Sequence, residues 1–183
     1  MRVARGPAPV TADNLATLPG PATQCLPTRI ELLQTAAKDF VAAVAKDETD
    51  EGSTVISLVP FAEQVTVGKT LLDQFNVSDE HDTSHCVTFD TDDFNTAAIK
   101  PTDALSRMAY FDSYNSGWTA YDPGICDRTE GRAITPWSAD AVALQGRIDD
   151  MYAEGWTSID VATKWGVALL DPAAQPVASA LAT

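Results

Sequence analysis

The stretch that decides the fold runs from Trp137 to Pro172, WSADAVALQGRIDDMYAEGWTSIDVATKWGVALLDP. Ser138 is a good N-cap, and Asp140 favours a first helical turn through the helix dipole. Val142, Leu144, Ile148 and Met151 then supply apolar contacts. Gly155 is placed to end that helix in a left-handed conformation, and Thr157 or Ser158 caps the next one. The second helix buries Val161, Ala162, Trp165, Ala168 and Leu169, and Asp171-Pro172 stops it. The reading is therefore helix, tight turn, helix, with the Thr157 hydroxyl held where a metal ion or a substrate oxygen can reach it. As a bare motif, Thr157 is more often a cap than a ligand, and Trp156 and Trp165 read as core.

Working backwards, Thr28-Arg29-Ile30-Glu31 has the form of a capping box, in which hydroxyl and carboxylate satisfy reciprocal free amides. Ile30, Leu33, Ala37, Phe40, Val41 and Val44 recur at helical spacing to about Ala45, and the acidic break Asp47–Gly52 ends the helix. Ser53–Phe61 (STVISLVPF) is β-branched and nearly all apolar, as in a strand buried on both faces, with Pro60 at its end. Glu63–Val67 alternates and predicts a neighbouring edge strand closed by Gly68. Residues 1–27 carry Pro7, Pro9, Pro19, Pro21 and Pro27 and read as an extended lead-in; residues 173–183 read as a frayed, flexible tail.

Between about Asn76 and Ile134 the periodicity fades into a long irregular insertion. Aromatic residues are scattered through it at Phe89, Phe94, Tyr110, Phe111, Tyr114, Trp118 and Tyr121. A Cys86–Cys126 disulfide would clamp it, worth roughly 2–4 kcal/mol if unstrained. The three cysteines, Cys25, Cys86 and Cys126, follow no CxxC spacing. One bridge with a leftover thiol suits an extracytoplasmic protein and three free thiols a cytosolic one.

The chain has 183 residues, 45% hydrophobic and 21% charged, which suits one globular domain. Its 26 acidic and 12 basic side chains give a formal net charge of −14. That field repels phosphate backbones, so nucleic-acid binding is set aside, and anionic membrane surfaces are disfavoured too. Divalent cations would be attracted, although solubility alone accounts equally well for the acidity. No apolar run approaches a membrane span, and Met1-Arg2-Val3-Ala4-Arg5-Gly6-Pro7 has no hydrophobic segment behind it.

Three blocks resemble the von Willebrand factor A (VWA)-type domain of TadG-like proteins, which belong to the bacterial Tad/Flp pilus-assembly systems. They are the helix Arg29–Val44 leading into Val55–Phe61, the Cys86-Val87 site opening the insertion, and Thr135–Pro172 with its run RIDDMYAEGWTSIDVATKWGVALLDP. The resemblance implies an α/β fold, a partial VWA-like (Rossmann-like) central sheet, mainly parallel and flanked by helices, over residues 28–172. It also implies a metal-ion-dependent adhesion site for Mg²⁺ or a similar divalent cation. That site uses an Asp-x-Ser-x-Ser loop, a Thr and a later Asp. Only Thr157 matches. The lead-in offers no Asp-x-Ser-x-Ser, and the final Asp would fall after a strand beyond Pro172. A single neutral hydroxyl does not hold Mg²⁺, which wants near-octahedral oxygen coordination with at least one carboxylate. No cofactor is therefore expected in this chain, which reads as the middle of a VWA domain: a fragment, or a diverged remnant, and a marginal monomer.

Two further clusters carry potential metal ligands. In Asp79-Glu80-His81-Asp82-Thr83-Ser84-His85-Cys86 the two histidines would share a helical face beside a thiol, but the flanking residues are poor helix formers. Asp90-Thr91-Asp92-Asp93 hints at a Ca²⁺ loop without its Gly or distal Glu. No nucleophile elbow exists. The expectation is a non-enzymatic, extracytoplasmic interaction or adhesion module whose partners are pilus or cell-envelope proteins. The alternatives are a metal-dependent hydrolase or metal-binding protein using the acidic insertion, and a fragment with no function of its own.

Overall fold

The computed structural model describes residues 26–46, 54–109, 126, 130–153 and 155–182. Its elements in chain order are α1 (Arg29–Lys46), β1 (Ile56–Leu58), α2 (Lys69–Leu72), β2 (Asn76–Val77), β3 (Val87–Thr88), β4 (Ala104–Arg107), β5 (Thr135–Ser138), α3 (Ala141–Asp149), α4 (Ile159–Leu170) and α5 (Gln175–Leu181). Short 3-10 turns lie at Thr91–Asn95, Glu130–Arg132 and Pro172–Ala174. The chain is thus a mixed α/β protein with two small sheets.

β1 and β5 pair antiparallel, with Ile56 opposite Ser138, Leu58 opposite Thr135, and an irregular register between them. Trp137 sits at that irregularity with φ 41°, a left-handed conformation rare for a bulky residue. It is pinned there on both sides. Its amide donates to Ser57 Oγ at 3.0 Å and its indole Nε1 to the Leu169 carbonyl at 3.0 Å.

This two-stranded sheet lies between two helical layers. Ile56 and Leu58 pack on Val41 of α1 and on Leu144 and Ile148 of α3. Val59 and Trp137 pack instead into the main core, around Val161, Trp165 and Leu169 of α4. Trp165 is fully buried, with Phe75 edge-on at 5.8 Å and Phe89 tilted at 5.9 Å.

The second sheet has the order β2-β4-β3, parallel between β2 and β4 and antiparallel between β3 and β4. It occupies the first part of the span read as an irregular insertion. Strands this short leave little periodicity to detect, and Val87, Ile99 and Leu105 give them a core contact. Cys86 and Cys126 are joined by a disulfide with a Cα–Cα distance of 6.0 Å, buried beside Met108.

Helix α1 begins where the capping box places it. The Thr28 amide and hydroxyl donate to Glu31 Oε2 at 2.6 and 2.8 Å. Several other expectations change. The strand read over Ser53–Phe61 is only three residues long and half-buried, with Val55 and Phe61 exposed, because among the described residues β1 gains a partner along one edge alone. Glu63–Val67 forms no strand; a single parallel bridge joins Thr66 to Ala133 while Val65 and Val67 point into the core. Ser138 closes β5 rather than capping a helix, and Asp140 takes the cap by accepting from the Val142 and Ala143 amides. α3 then stops at Asp149, six residues before Gly155. The tail read as frayed holds α5, because Val177 and Leu181 find apolar partners in the main core.

The lead-in through Cys25, the acidic break at 47–52, and the aromatic residues from Tyr110 to Tyr121 lie outside the described residues.

Candidate functional site

Thr157 lies in the turn between α3 and α4, and the structure places that turn at the mouth of a cavity of about 430 Å³. The other walls come from the start of α1 (Ile30, Leu33, Ala37) and from Leu58–Ala62 at and after the end of β1. Met151, Tyr152 and Trp156 form the near side.

Local chemistry fixes each wall. α3 ends with carbonyls that have no helical partner. Gln34 of α1 reaches across and donates its Nε2 to the carbonyls of Ile148 (3.0 Å), Asp149 (3.1 Å) and Met151 (2.8 Å). Lys38, one turn on, pairs with Asp149 at 2.5 Å. These contacts set the angle between α1 and α3. The turn itself is tied down by the Ser158 amide, which donates to the Ala62 carbonyl at 2.8 Å.

Gly155 has φ 77°, and the Glu63 carboxylate lies so close that a Cβ there would sit 2.3 Å from Oε2. The backbone conformation favours glycine, and a larger residue would also have to push the Glu63 carboxylate aside. Arg132 stacks over the Tyr152 ring at 4.8 Å.

Thr157 is exposed, and Ser158 takes the N-cap position of α4 without a side-chain cap bond. Asp160 accepts from the Val161 amide at 2.9 Å. Among the described residues no group of three or more His, Cys, Asp or Glu side chains is gathered. The donor set those residues offer around Thr157 is a hydroxyl without a carboxylate cluster, which does not fit a hard divalent cation. Trp156, read as core, is 70% exposed, because the turn swings it out over the cavity mouth.

The other sequence candidates have structural occupations. Residues 79–86 form an irregular loop rather than a helix, so His81 and His85 share no helical face. That loop is held to β4 by Arg107, whose Nε donates to the Ser78 carbonyl (3.2 Å) and Nη1 to that of Ser84 (2.8 Å). Hydrogen bonding from Ser78 lowers the Glu80 carboxyl below its ordinary pKa. Asp90 and Asp93 organise the start of a 3-10 turn, the Asp90 amide donating to Asp93 Oδ2 at 2.7 Å.

Two residues that matter were not legible beforehand. Gln34 is one. The other is Lys164, 5% exposed, whose Nζ donates to the carbonyls of Asp93 (2.6 Å), Thr96 (2.8 Å) and Ala98 (3.1 Å). It fastens the 3-10 turn to α4.

No protein-family model, curated protein or solved structure matches this chain. Among the described residues no helix is long and apolar enough to cross a membrane. The cavity is lined mainly by apolar side chains, and Gln34, Gln64, Thr66, Arg132, Asp150 and Thr157 also line it.

Proposed function

We propose that this chain is an extracytoplasmic protein–protein interaction module, a VWA-type domain of a TadG-like protein working in a Tad/Flp pilus-assembly system. Its partners are pilus or cell-envelope proteins. It is not an enzyme, and it works without a metal at Thr157.

The observation that carries this reading is the coincidence of two features at one turn. The sequence run Arg147–Pro172, where the family resemblance is strongest, contains the turn that carries Trp156 at the mouth of the apolar cavity. Aromatic side chains left in water at the lip of a cavity are what protein-binding surfaces use as anchors. Support for the compartment comes from the Cys86–Cys126 bridge, a bond that persists in oxidising surroundings. The small sheet held between α1 and α3 on one side and α4 on the other is compatible with an α/β fold, although its strand pair is antiparallel where the resemblance implies a mainly parallel sheet.

The test is site-specific photocrosslinking in a bacterium that assembles a Tad/Flp pilus, with a photoreactive amino acid at position 156. Cross-links to pilus or envelope proteins are the expected result. Cross-links confined to cytoplasmic proteins would overturn the proposal.

A further inference from the structure

We infer that the cavity takes an extended peptide segment, apolar at alternate positions and flanked by Lys or Arg, which lies along the open edge of β1. This deepens the interaction-module reading and rests on it.

Three observations converge. First, α1 leaves part of its apolar stripe uncovered. Val41 packs on α3, yet Leu33 and Phe40 of the same stripe are each 60% exposed, and Leu33 faces the cavity. A stripe of that width is normally buried against a neighbouring element. Second, among the described residues β1 pairs with β5 along one edge only, and Leu58, Val59 and Pro60 line the cavity. An open strand edge offers main-chain groups to an added strand, and pockets beside it accept every second side chain. Third, the lining is partly aromatic, with Phe61, Tyr152 and Trp156 all exposed.

The flanking charge follows from complementarity. Asp150 lines the cavity, Glu63 lies against Gly155, and the chain carries a net charge of −14. The cavity-lining cation, Arg132, is stacked on Tyr152. Beside the cavity, Glu63 Oε1 and Gln64 Oε1 are buried without a hydrogen-bond donor. An occupant that brings N–H donors satisfies oxygens that have no donor among the described residues. Acidic peptides meet repulsion here, and a peptide with a central proline lacks an N–H that pairing along the strand edge needs.

The test uses the full chain and three fluorescein-labelled peptides, KKVTVTVKK, EEVTVTVEE and KKVTPTVKK, read by fluorescence anisotropy. The basic, extendable peptide is expected to bind at least tenfold more tightly than the other two, and less tightly as salt is raised. Trp156→Ala and Phe61→Ser should each weaken it about tenfold, the scale of an anchor residue. Both side chains are exposed, so circular dichroism of the variants should match the parent; Leu33→Ser is an independent third probe of the same wall. Equal binding of all three peptides, or binding unchanged by the substitutions, would overturn the inference. If the peptides fail while cross-links from position 156 still capture an envelope protein, the interaction module stands and the peptide chemistry falls.

Discussion

Glu31 shows how a single side chain sets the start of α1. The Thr28 amide, and then its hydroxyl, hold the Glu31 carboxyl below the usual glutamate pKa. A lowered folded-state pKa means that the capping interaction is present at neutral pH and is lost as pH falls through that lowered value. Titration followed by NMR should therefore give Glu31 a midpoint below that of a free glutamate, and Thr28→Ala, which removes the hydroxyl but keeps the amide, should raise it only part of the way; a free-glutamate midpoint in the parent protein would contradict the cap. Lys164 is the other decisive residue. Lys164→Met leaves three carbonyls without their donor, and unfolding in urea should show a loss of about 2–3 kcal/mol. Lys164→Arg should not rescue it, because a planar guanidinium does not converge on three carbonyls as an ammonium does. Amide exchange in residues 91–98 should quicken in both variants.

At the scale of elements, the turn between α3 and α4 is the most constrained. Gly155→Ala must hold an alanine at φ 77° and displace the Glu63 carboxylate. Left-handed strain alone costs roughly 1–2 kcal/mol, and thermal denaturation should show a drop of at least that size. The elements that could be read from sequence are those whose signals are local. The box at Thr28–Glu31 and the stripe of Val161, Trp165, Ala168 and Leu169 in α4 act over one to three turns, and both appear where the pattern put them. β1 was legible only at its centre, because its length depends on a partner strand 80 residues away. Gln34 and Lys164 were illegible for the same reason. Each looks like an ordinary polar helix residue until a distant backbone folds against it. The two residues of β2 and of β3 are too short to alternate.

Across the whole molecule, the disulfide and the cavity express the same design. Cys86 and Cys126 are separated by 40 residues, so reduction frees a long loop in the unfolded chain and should lower stability by about 2–4 kcal/mol. Denaturation with and without a reducing agent measures this, and no change on reduction would contradict a structural role for the bond. The cavity could not be read from sequence at all, since its walls come from α1, the end of β1 and the turn before α4. Thr157, matched to the adhesion-site pattern by resemblance but expected to hold no cation by itself, is among its lining residues.

Hydrogen–deuterium exchange of the full chain, with and without the KKVTVTVKK peptide, puts the central claim to its most direct trial. The account predicts slowed exchange at residues 56–64 and 151–157, where an added strand covers the edge of β1 and the aromatic turn. Protection confined to the acidic segment 79–93, or none anywhere, would contradict it.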